Sequence, residues 1–363
     1  MKNTKSKRAD SILEFSCGKK MKNRFALAPL TNKQSHRSGQ LSDAELHWLT
    51  MRAKGQFGMI TTCATNVQAN GQCWPGQLSI HSDDFLEGHR RLAQSLQAHG
   101  SLVVVQIFHG GMRCPQRLIG EQAVCPSTCE KYNARALKTK EVEQLRDDFI
   151  AAAVRAKRAT YDGVEIHGAH GYLIAQFLSQ QINRRTDKYG GSLENRARLL
   201  FEMVEGTRNQ CGPDFLIGVR LSPERFGMQL SEMKRVCQQL IDDNKIDFLS
   251  LSLWDCFKQP EGEALGGKSL LEHLLELNYK EVKLTVAGKI CGAVEVQQIL
   301  STAVDFVSIG QSAILHHDFP RQVITNPSFE PIALPVCTEY LRKEGLSQKF
   351  IDYMTNWKGF VAR

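Results

Sequence analysis

Eight short apolar segments recur along this sequence, with amphipathic helical patterns between them. The segments are rich in Val, Ile and Leu, and they are continuous rather than alternating, which is typical of parallel strands buried on both faces. They are Arg24–Ala28, Gly58–Cys63, Leu102–Phe108, Gly163–Ile166, Leu216–Leu221, Asp247–Leu251, Val282–Val286 and Phe306–Ile309. Eight strand–helix units in one chain predict a single-domain (β/α)8 TIM barrel.

The patterns between the strands predict helices at Ser42–Lys54, Phe85–Ala98, Thr139–Ala159, Leu193–Asn209 and Leu230–Asp242. The structural alternative is an open doubly wound sheet, which usually has six strands and a glycine fingerprint after the first. Here the first strand runs into Pro29-Leu30-Thr31 without such a fingerprint. We therefore expect a basic N-terminal segment at 1–22, a barrel at 23–334 and a helical C-terminal extension at 335–363.

Composition restricts the class of protein further. No apolar run approaches the ~20 residues that span a bilayer, and the first twenty residues lack the apolar segment of a signal peptide. The sequence thus predicts a cytoplasmic protein with no membrane partner. The 11 cysteines are scattered without the spacing of metal sites, which predicts free thiols.

The formal net charge of +8 raises the question of nucleic-acid binding. Much of this charge comes from the N-terminal segment, and no nucleic-acid motif occurs elsewhere. A frayed basic tail, or a face suited to anionic ligands, explains the charge as well. We expect a small-molecule substrate and no nucleic-acid partner.

Three apolar strands end in polar residues, Gln106, His167 and Arg220. The carboxyl ends of barrel strands meet at one face, and a buried polar group without a partner costs free energy, so the three indicate a common polar ligand. Glycine turns at Gly288 and Gly310 follow the last two strands, where barrels commonly bind phosphate groups.

The segment from Asp162 to Arg196 has the densest set of chemically capable residues. His167 and His170 stand three apart, and Tyr172 follows them. A metal site is the alternative, but the one nearby carboxylate, Glu165, is expected to point the other way on the strand. Two imidazoles donating hydrogen bonds to one ligand oxygen is the favoured interpretation, with no metal.

These residues resemble the Old Yellow Enzyme family of FMN-dependent NAD(P)H oxidoreductases, in order from Arg24 to His317. The resemblance rests on four segments, and histidine at position 170 is similar to the bacterial branches that have a His–His pair. The segments are Asn23-Arg24 with Ala28-Pro29-Leu30-Thr31, Val105 to Gly111, Asp162 to Arg196, and Gly218 to Ser222.

The resemblance implies FMN as cofactor, NADH or NADPH as reductant, and hydride transfer through FMN to the activated C=C bond of an enone or a related electrophile such as a nitro compound. It implies that His167 and His170 bind the substrate oxygen and that Tyr172 donates a proton to the α-carbon. The implied flavin contacts are Ala28, Pro29, Leu30, Thr31, Ala64, Gln106 and Arg220, with Gly288, Gly310 and Gln311 at the phosphate.

Two further expectations concern a departure from this pattern and the C-terminal segment. Gln311 stands where the family usually has arginine, so the phosphate would lose a charge-assisted donor. The alternative function is accordingly a barrel that binds flavin weakly or not at all and has no turnover. Trp357 follows an amphipathic C-terminal helix, which either packs on the barrel or reaches an active site, its own or that of a partner in a homodimer or higher homo-oligomer.

Overall fold

The fold is a closed barrel of eight parallel strands, seen in a computed structural model that describes residues 7–261 and 267–362. Each strand pairs with its neighbours in the chain, and the first pairs with the eighth, which closes the sheet. The strands are β1 Phe25–Leu27, β2 Met59–Thr61, β3 Leu102–Phe108, β4 Gly163–Gly168, β5 Leu216–Leu221, β6 Phe248–Ser252, β7 Lys283–Ala287 and β8 Phe306–Ile309. The predicted (β/α)8 TIM barrel is confirmed.

Helices pack around the barrel and bury their apolar faces against it. The five predicted helices are present within two residues of their expected ends, and Ser42 caps the first by accepting a hydrogen bond from the Glu45 N–H. The helices that follow the strands are α1 Asp43–Lys54, α2 Leu86–Gln97, α3 Thr139–Arg158, α4 Leu193–Cys211, α5 Leu230–Asp242, α6 Leu270–Leu275, α7 Ala293–Leu300 and α8 Gln311–Leu315. Within the described residues, no helix combines the length and apolar character needed to cross a bilayer.

Shorter elements decorate this frame. Helical turns lie in the loops, and small strand pairs lie outside the barrel. The helices are Gln116–Ile119, Leu173–Leu178, Phe319–Thr325, Thr338–Lys343 and Gln348–Met354; the strand pairs are Leu13–Glu14 with Lys20–Met21 and Ala123–Cys125 with Ala134–Ala136; and Thr65–Asn66 runs beside β3.

An antiparallel hairpin, Leu13–Glu14 with Lys20–Met21, closes the N-terminal end of the barrel. The Phe15 ring lies 6.1 Å from that of Phe248 and 5.9 Å from that of Phe306, at the beginnings of β6 and β8. Residue 218 on β5 is glycine because a Cβ there would overlap the Phe248 ring. The expectation of a frayed tail is therefore wrong for this hairpin: its apolar side chains are buried against the strand starts.

The C-terminal extension is helical, as predicted, and packs on α1. The Phe350 ring meets Trp48 edge-on at 5.3 Å, and the Arg52 guanidinium donates to the backbone oxygen of Glu344 at 2.7 Å. These contacts hold the two terminal helices against the side of the barrel. They also bring the residues after Met354 towards its C-terminal end, where Trp357 lines a cavity.

Candidate active site

The C-terminal half of the barrel interior is filled with polar side chains rather than aliphatic ones. They come from β3 to β6 and are Gln106, Glu165, His167, Arg220, Ser250 and Ser252. The structure thus brings together the three strand-end residues that the sequence singled out. The expected orientation of Glu165 was wrong, because residues two apart on a strand share a face and Glu165 points inward with His167.

Glu165 and Arg220 form the charged layer of this interior. Gln106 Nε2 donates to Glu165 Oε1 at 2.6 Å. Burial raises the pKa of Glu165, opposed by the charge of Arg220 and by hydrogen bonds from Gln106 and Ser250. Burial likewise lowers the pKa of Arg220, opposed by Glu165. Each charge therefore depends on the other to remain ionised inside the barrel.

The two histidines form a hydrogen-bonded chain. The Ala169 N–H donates to His167 Nδ1 at 3.2 Å, which assigns the His167 proton to Nε2. That nitrogen lies 3.2 Å from His170 Nδ1, and His170 Nε2 lies 2.7 Å from Ser252 Oγ. The proton order is then His167 Nε2–H to His170 Nδ1, and His170 Nε2–H to Ser252 Oγ.

Both imidazoles are neutral donors. Burial, and secondarily the charge of Arg220, lowers the pKa of His167 to about 3. The same two causes hold the pKa of His170 well below its usual value. A neutral pair can polarise a ligand oxygen through N–H groups without transferring a proton to it.

The backbone at His170 adopts a conformation that side chains usually avoid. Its φ is +60°, in the left-handed region, which costs free energy for a residue other than glycine. Two hydrogen bonds hold it: its N–H donates to Ser222 Oγ at 3.1 Å, and its oxygen accepts from Arg113 Nη1 at 2.6 Å. The arrangement turns the His170 ring back towards His167.

Tyr172 lies beside the histidine pair. Its ring meets Phe108 edge-on at 4.6 Å and His167 at 5.4 Å, while the Arg113 guanidinium lies 4.6 Å above it. Burial raises the pKa of Tyr172 to about 12, and Arg113 opposes this shift. The phenol is therefore protonated at neutral pH and can donate a proton beside the two imidazoles.

A cavity of about 490 Å³ opens above His170 and Tyr172. Its rim holds three large exposed rings: Trp254 is 70% exposed, Trp357 45% and Phe226 40%. Arg113 and Ser252 line it as well. Sequence reasoning missed Arg113 and Trp254, because no local pattern marks a loop residue that reaches the site from another strand.

The residues expected to line the flavin ring lie after β1 and β2, and the glycines expected at its phosphate lie after β7 and β8. Ala28 is buried at the end of β1, Pro29 to Thr31 are half-buried, and Ala64 packs with Trp74 and Phe108 at the same end of the barrel. Gly310 faces Leu30 across a short gap, whereas Gly288 backs onto the main chain of Trp254.

Gln311 lies apart from the histidines. It is exposed and lines a separate groove of about 420 Å³ with residues of α7 and the segment 329–334. Two cations elsewhere at this end of the barrel pair with carboxylates, Lys289 Nζ with Asp255 at 3.0 Å and Arg225 with Glu261 at 3.3 Å. No group of three potential metal ligands occurs among the residues described.

Comparisons with known proteins agree with this geometry. A family model described as the NADH:flavin oxidoreductase / NADH oxidase family matches residues 15–327. The protein named "Probable NADH-dependent flavin oxidoreductase YqiG" of Bacillus subtilis is 36% identical over 320 residues, covering 85% of this chain and 86% of its own length. The NADPH dehydrogenase of Clostridium acetobutylicum is 31% identical over 317 residues, covering 85% and 89%.

A solved structure of the old yellow enzyme homologue from Zymomonas mobilis superimposes with a TM-score of 0.79 at 28% identity, covering 94% of this chain and 99% of that one. Some curated relatives are longer, and this chain spans 48% and 35% of the length of two of them.

Proposed function

The chain belongs to the NADH:flavin oxidoreductase / NADH oxidase family, and from that premise we propose that it reduces the activated C=C bond of an enone or a related electrophile such as a nitro compound. It is an FMN-dependent oxidoreductase of the Old Yellow Enzyme type that uses NADH or NADPH. The observation that carries this proposal is the neutral His167–His170 pair beside a protonated Tyr172 at the floor of one cavity. When bound, FMN supplies the hydride chemistry.

The polar layer of the barrel suits the pyrimidine edge of a flavin. Arg220 Nε is buried and has no hydrogen-bond partner among the described residues, which leaves a donor for a ligand. Gln106 would hydrogen-bond the same edge, and a permanent cation at Arg220 suits the negative charge of reduced flavin. Ala28 to Thr31 and Ala64 would line the ring, and Gly288, Gly310 and Gln311 would lie at the phosphate.

The histidines would bind the carbonyl or nitro oxygen of the substrate. In the structure each N–H has an internal acceptor, His170 Nδ1 or Ser252 Oγ. A substrate oxygen would take over both donors, because it is a stronger acceptor when charge develops on it. The internal bonds keep the donors satisfied and ordered until that moment.

Tyr172 would donate the proton to the α-carbon. Its high pKa keeps the proton available, and the Arg113 charge above its ring would stabilise the phenolate that remains. Arg113 also holds the His170 backbone, so one guanidinium would position the donor pair and assist the acid.

Further proposals concern the binding partners and the division of the chain into parts. The partners would be small molecules, the flavin among them. Trp357 lines the cavity of its own chain, so a homodimer is not needed to complete this rim. We propose that the barrel at 23–334 is the FMN-binding unit, that the 13–21 hairpin packs as part of it, and that 335–363 is an extension.

An anaerobic spectral titration tests the proposal. The purified protein should be yellow, should bleach on adding NADH or NADPH, and should regain its colour on adding 2-cyclohexenone or a nitro compound. A protein that bleaches but is reoxidised only by oxygen would contradict the proposed substrate class. A colourless protein that takes up no added FMN would favour the alternative of a barrel without turnover.

A further inference from the structure

Two thiols meet beside the candidate active site without any assigned role. Cys73 follows β2 in the loop that precedes α2, and Cys114 follows β3. Their Sγ atoms are 3.8 Å apart. Cys73 is half-buried and Cys114 is buried, and both are free thiols.

The chain leaves room for these sulfurs at one glycine. A Cβ at residue 110 would overlap Cys73 Sγ and lie 2.6 Å from Cys114 Sγ, so only glycine lets both sulfurs rest on the main chain there. The backbones are fixed close by: the Cys73 N–H donates to Gln77 Oε1 at 2.8 Å, and the Cys114 N–H donates to the Gly111 oxygen at 3.1 Å. These contacts fix the two thiols next to each other.

The pair also joins two parts of the site. Cys73 packs against the cluster of Ala64, Trp74 and Phe108, which Tyr172 contacts too. It equally packs against the cluster that contains Cys114, whose neighbour in sequence is Arg113. A covalent link would therefore tie the loop beside Tyr172 to the loop that holds the His170 backbone.

We propose that Cys73 and Cys114 form a covalent modification site, at which hydrogen peroxide converts the two thiols into a reversible disulfide. Cys73 sulfur attacks one peroxide oxygen, the O–O bond breaks, and a sulfenic acid and water form. Cys114 sulfur then attacks Cys73 sulfur, the S–O bond breaks, the S–S bond forms and a second water leaves. Two thiols are oxidised while one peroxide is reduced.

The surroundings give the two thiols different parts in this reaction. Cys73 is the one that a small oxidant can reach from solvent. Burial raises the pKa of the Cys114 thiol well above its usual value, so Cys114 is a poor first nucleophile and serves as the resolving thiol. This thiol reaction does not depend on the proposed substrate class.

Peptide mapping of the FMN-loaded full chain tests the proposal. After limited hydrogen peroxide, alkylation and digestion, we expect a Cys73–Cys114 cross-linked peptide that dithiothreitol removes. Cys73→Ser and Cys114→Ser should each abolish it, whereas Cys125→Ser, in the same cluster, should leave it unchanged. Finding both thiols alkylated after peroxide, Cys73 oxidised to sulfinic acid without a cross-link, or either one joined to Cys125 or Cys129 would overturn it.

A second measurement uses the enzyme. The peroxide-treated wild type should show a changed KM for its electron acceptor, restored by dithiothreitol, because the link joins the loops around Tyr172. Cys73→Ser should have the wild-type KM and no response to peroxide. If Cys73→Ser fails to fold, Cys114→Ser serves instead. An equal peroxide response in wild type and variant would show that the effect arises elsewhere.

Discussion

At the N-terminal end of the barrel, the rings of Phe15, Phe248 and Phe306 meet edge-on or tilted, whereas at the C-terminal end Glu165 and Arg220 share a buried layer beneath two histidines. The first end stabilises the folded state, because it removes apolar surface from water. The second expends free energy to desolvate polar groups and to hold His170 in the left-handed region. Stability and chemistry are thus assigned to opposite ends of the same strands.

Removing the histidine donors should impair function at the C-terminal end and leave the N-terminal end intact. In the double variant His167→Ala/His170→Ala, reoxidation of the reduced protein by an enone should slow about 10³-fold, because both N–H donors to the substrate oxygen are lost. Stopped-flow measurement of each half-reaction checks this. Bleaching by NADH should still occur with flavin bound. Unchanged enone turnover would remove the histidines from the proposed site.

Replacing Phe15 in the N-terminal hairpin should have the reverse effect, lowering stability without changing catalysis. Phe15→Ala should lower the free energy of unfolding by about 3–5 kcal/mol, because it leaves a cavity between Phe248 and Phe306. Urea unfolding measures this loss, and kcat/KM for the acceptor should stay at the wild-type value. Phe15→Leu is the matched control and should lose less. A large fall in kcat/KM with intact stability would mean that the two ends are coupled.

The proton donor should affect one step at the C-terminal end. Tyr172→Phe keeps the ring against Phe108 but removes the hydroxyl, so acceptor reduction should slow about 10²-fold. Flavin reduction by NADH should keep its rate. Trp74→Phe, which changes a ring in the same cluster, is the control and should retain the acceptor step. Equal rates in Tyr172→Phe and wild type would assign the proton to another group.

The two ends should also differ in their response to pH. His167, with a pKa of about 3 when folded and near 6.5 when unfolded, takes up a proton only on unfolding between those values. The free energy of unfolding should therefore fall as pH drops below 6.5, by about 1.4 kcal/mol per unit for each such histidine. Urea unfolding at pH 7.5, 6.5 and 5.5 checks this. His167→Gln should lower the slope by the contribution of one histidine, whereas Phe15→Leu should shift the profile without changing its slope.

The smallest expected effect concerns the phosphate. Gln311→Arg should slow FMN loss on dialysis by an amount worth about 1–3 kcal/mol, because a charged donor replaces a neutral amide. In the structure Lys289 pairs with Asp255, and Arg225 pairs with Glu261. Lys289→Ala is the comparison variant. If it accelerates FMN loss while Gln311→Arg changes nothing, Lys289 holds the phosphate.

The sequence pattern predicted the features that depend on residues close together in the chain. The eight strands were visible as apolar runs, and the meeting of Gln106, His167 and Arg220 followed from the parallel sheet. The inward turn of Glu165 was available from the period of two but was misjudged. The grip of Arg113 on His170 was not available, because it joins loops after different strands.

The hairpin that carries Phe15 has a consequence for the nascent chain. The ribosome makes this segment long before its partners Phe248 and Phe306. Until then Leu13, Phe15 and Met21 have only part of the apolar surface that covers them in the finished barrel. Such long-range pairing slows folding and leaves sticky surface exposed on unfinished chains. The hairpin that stabilises the finished barrel is thus an aggregation hazard during synthesis.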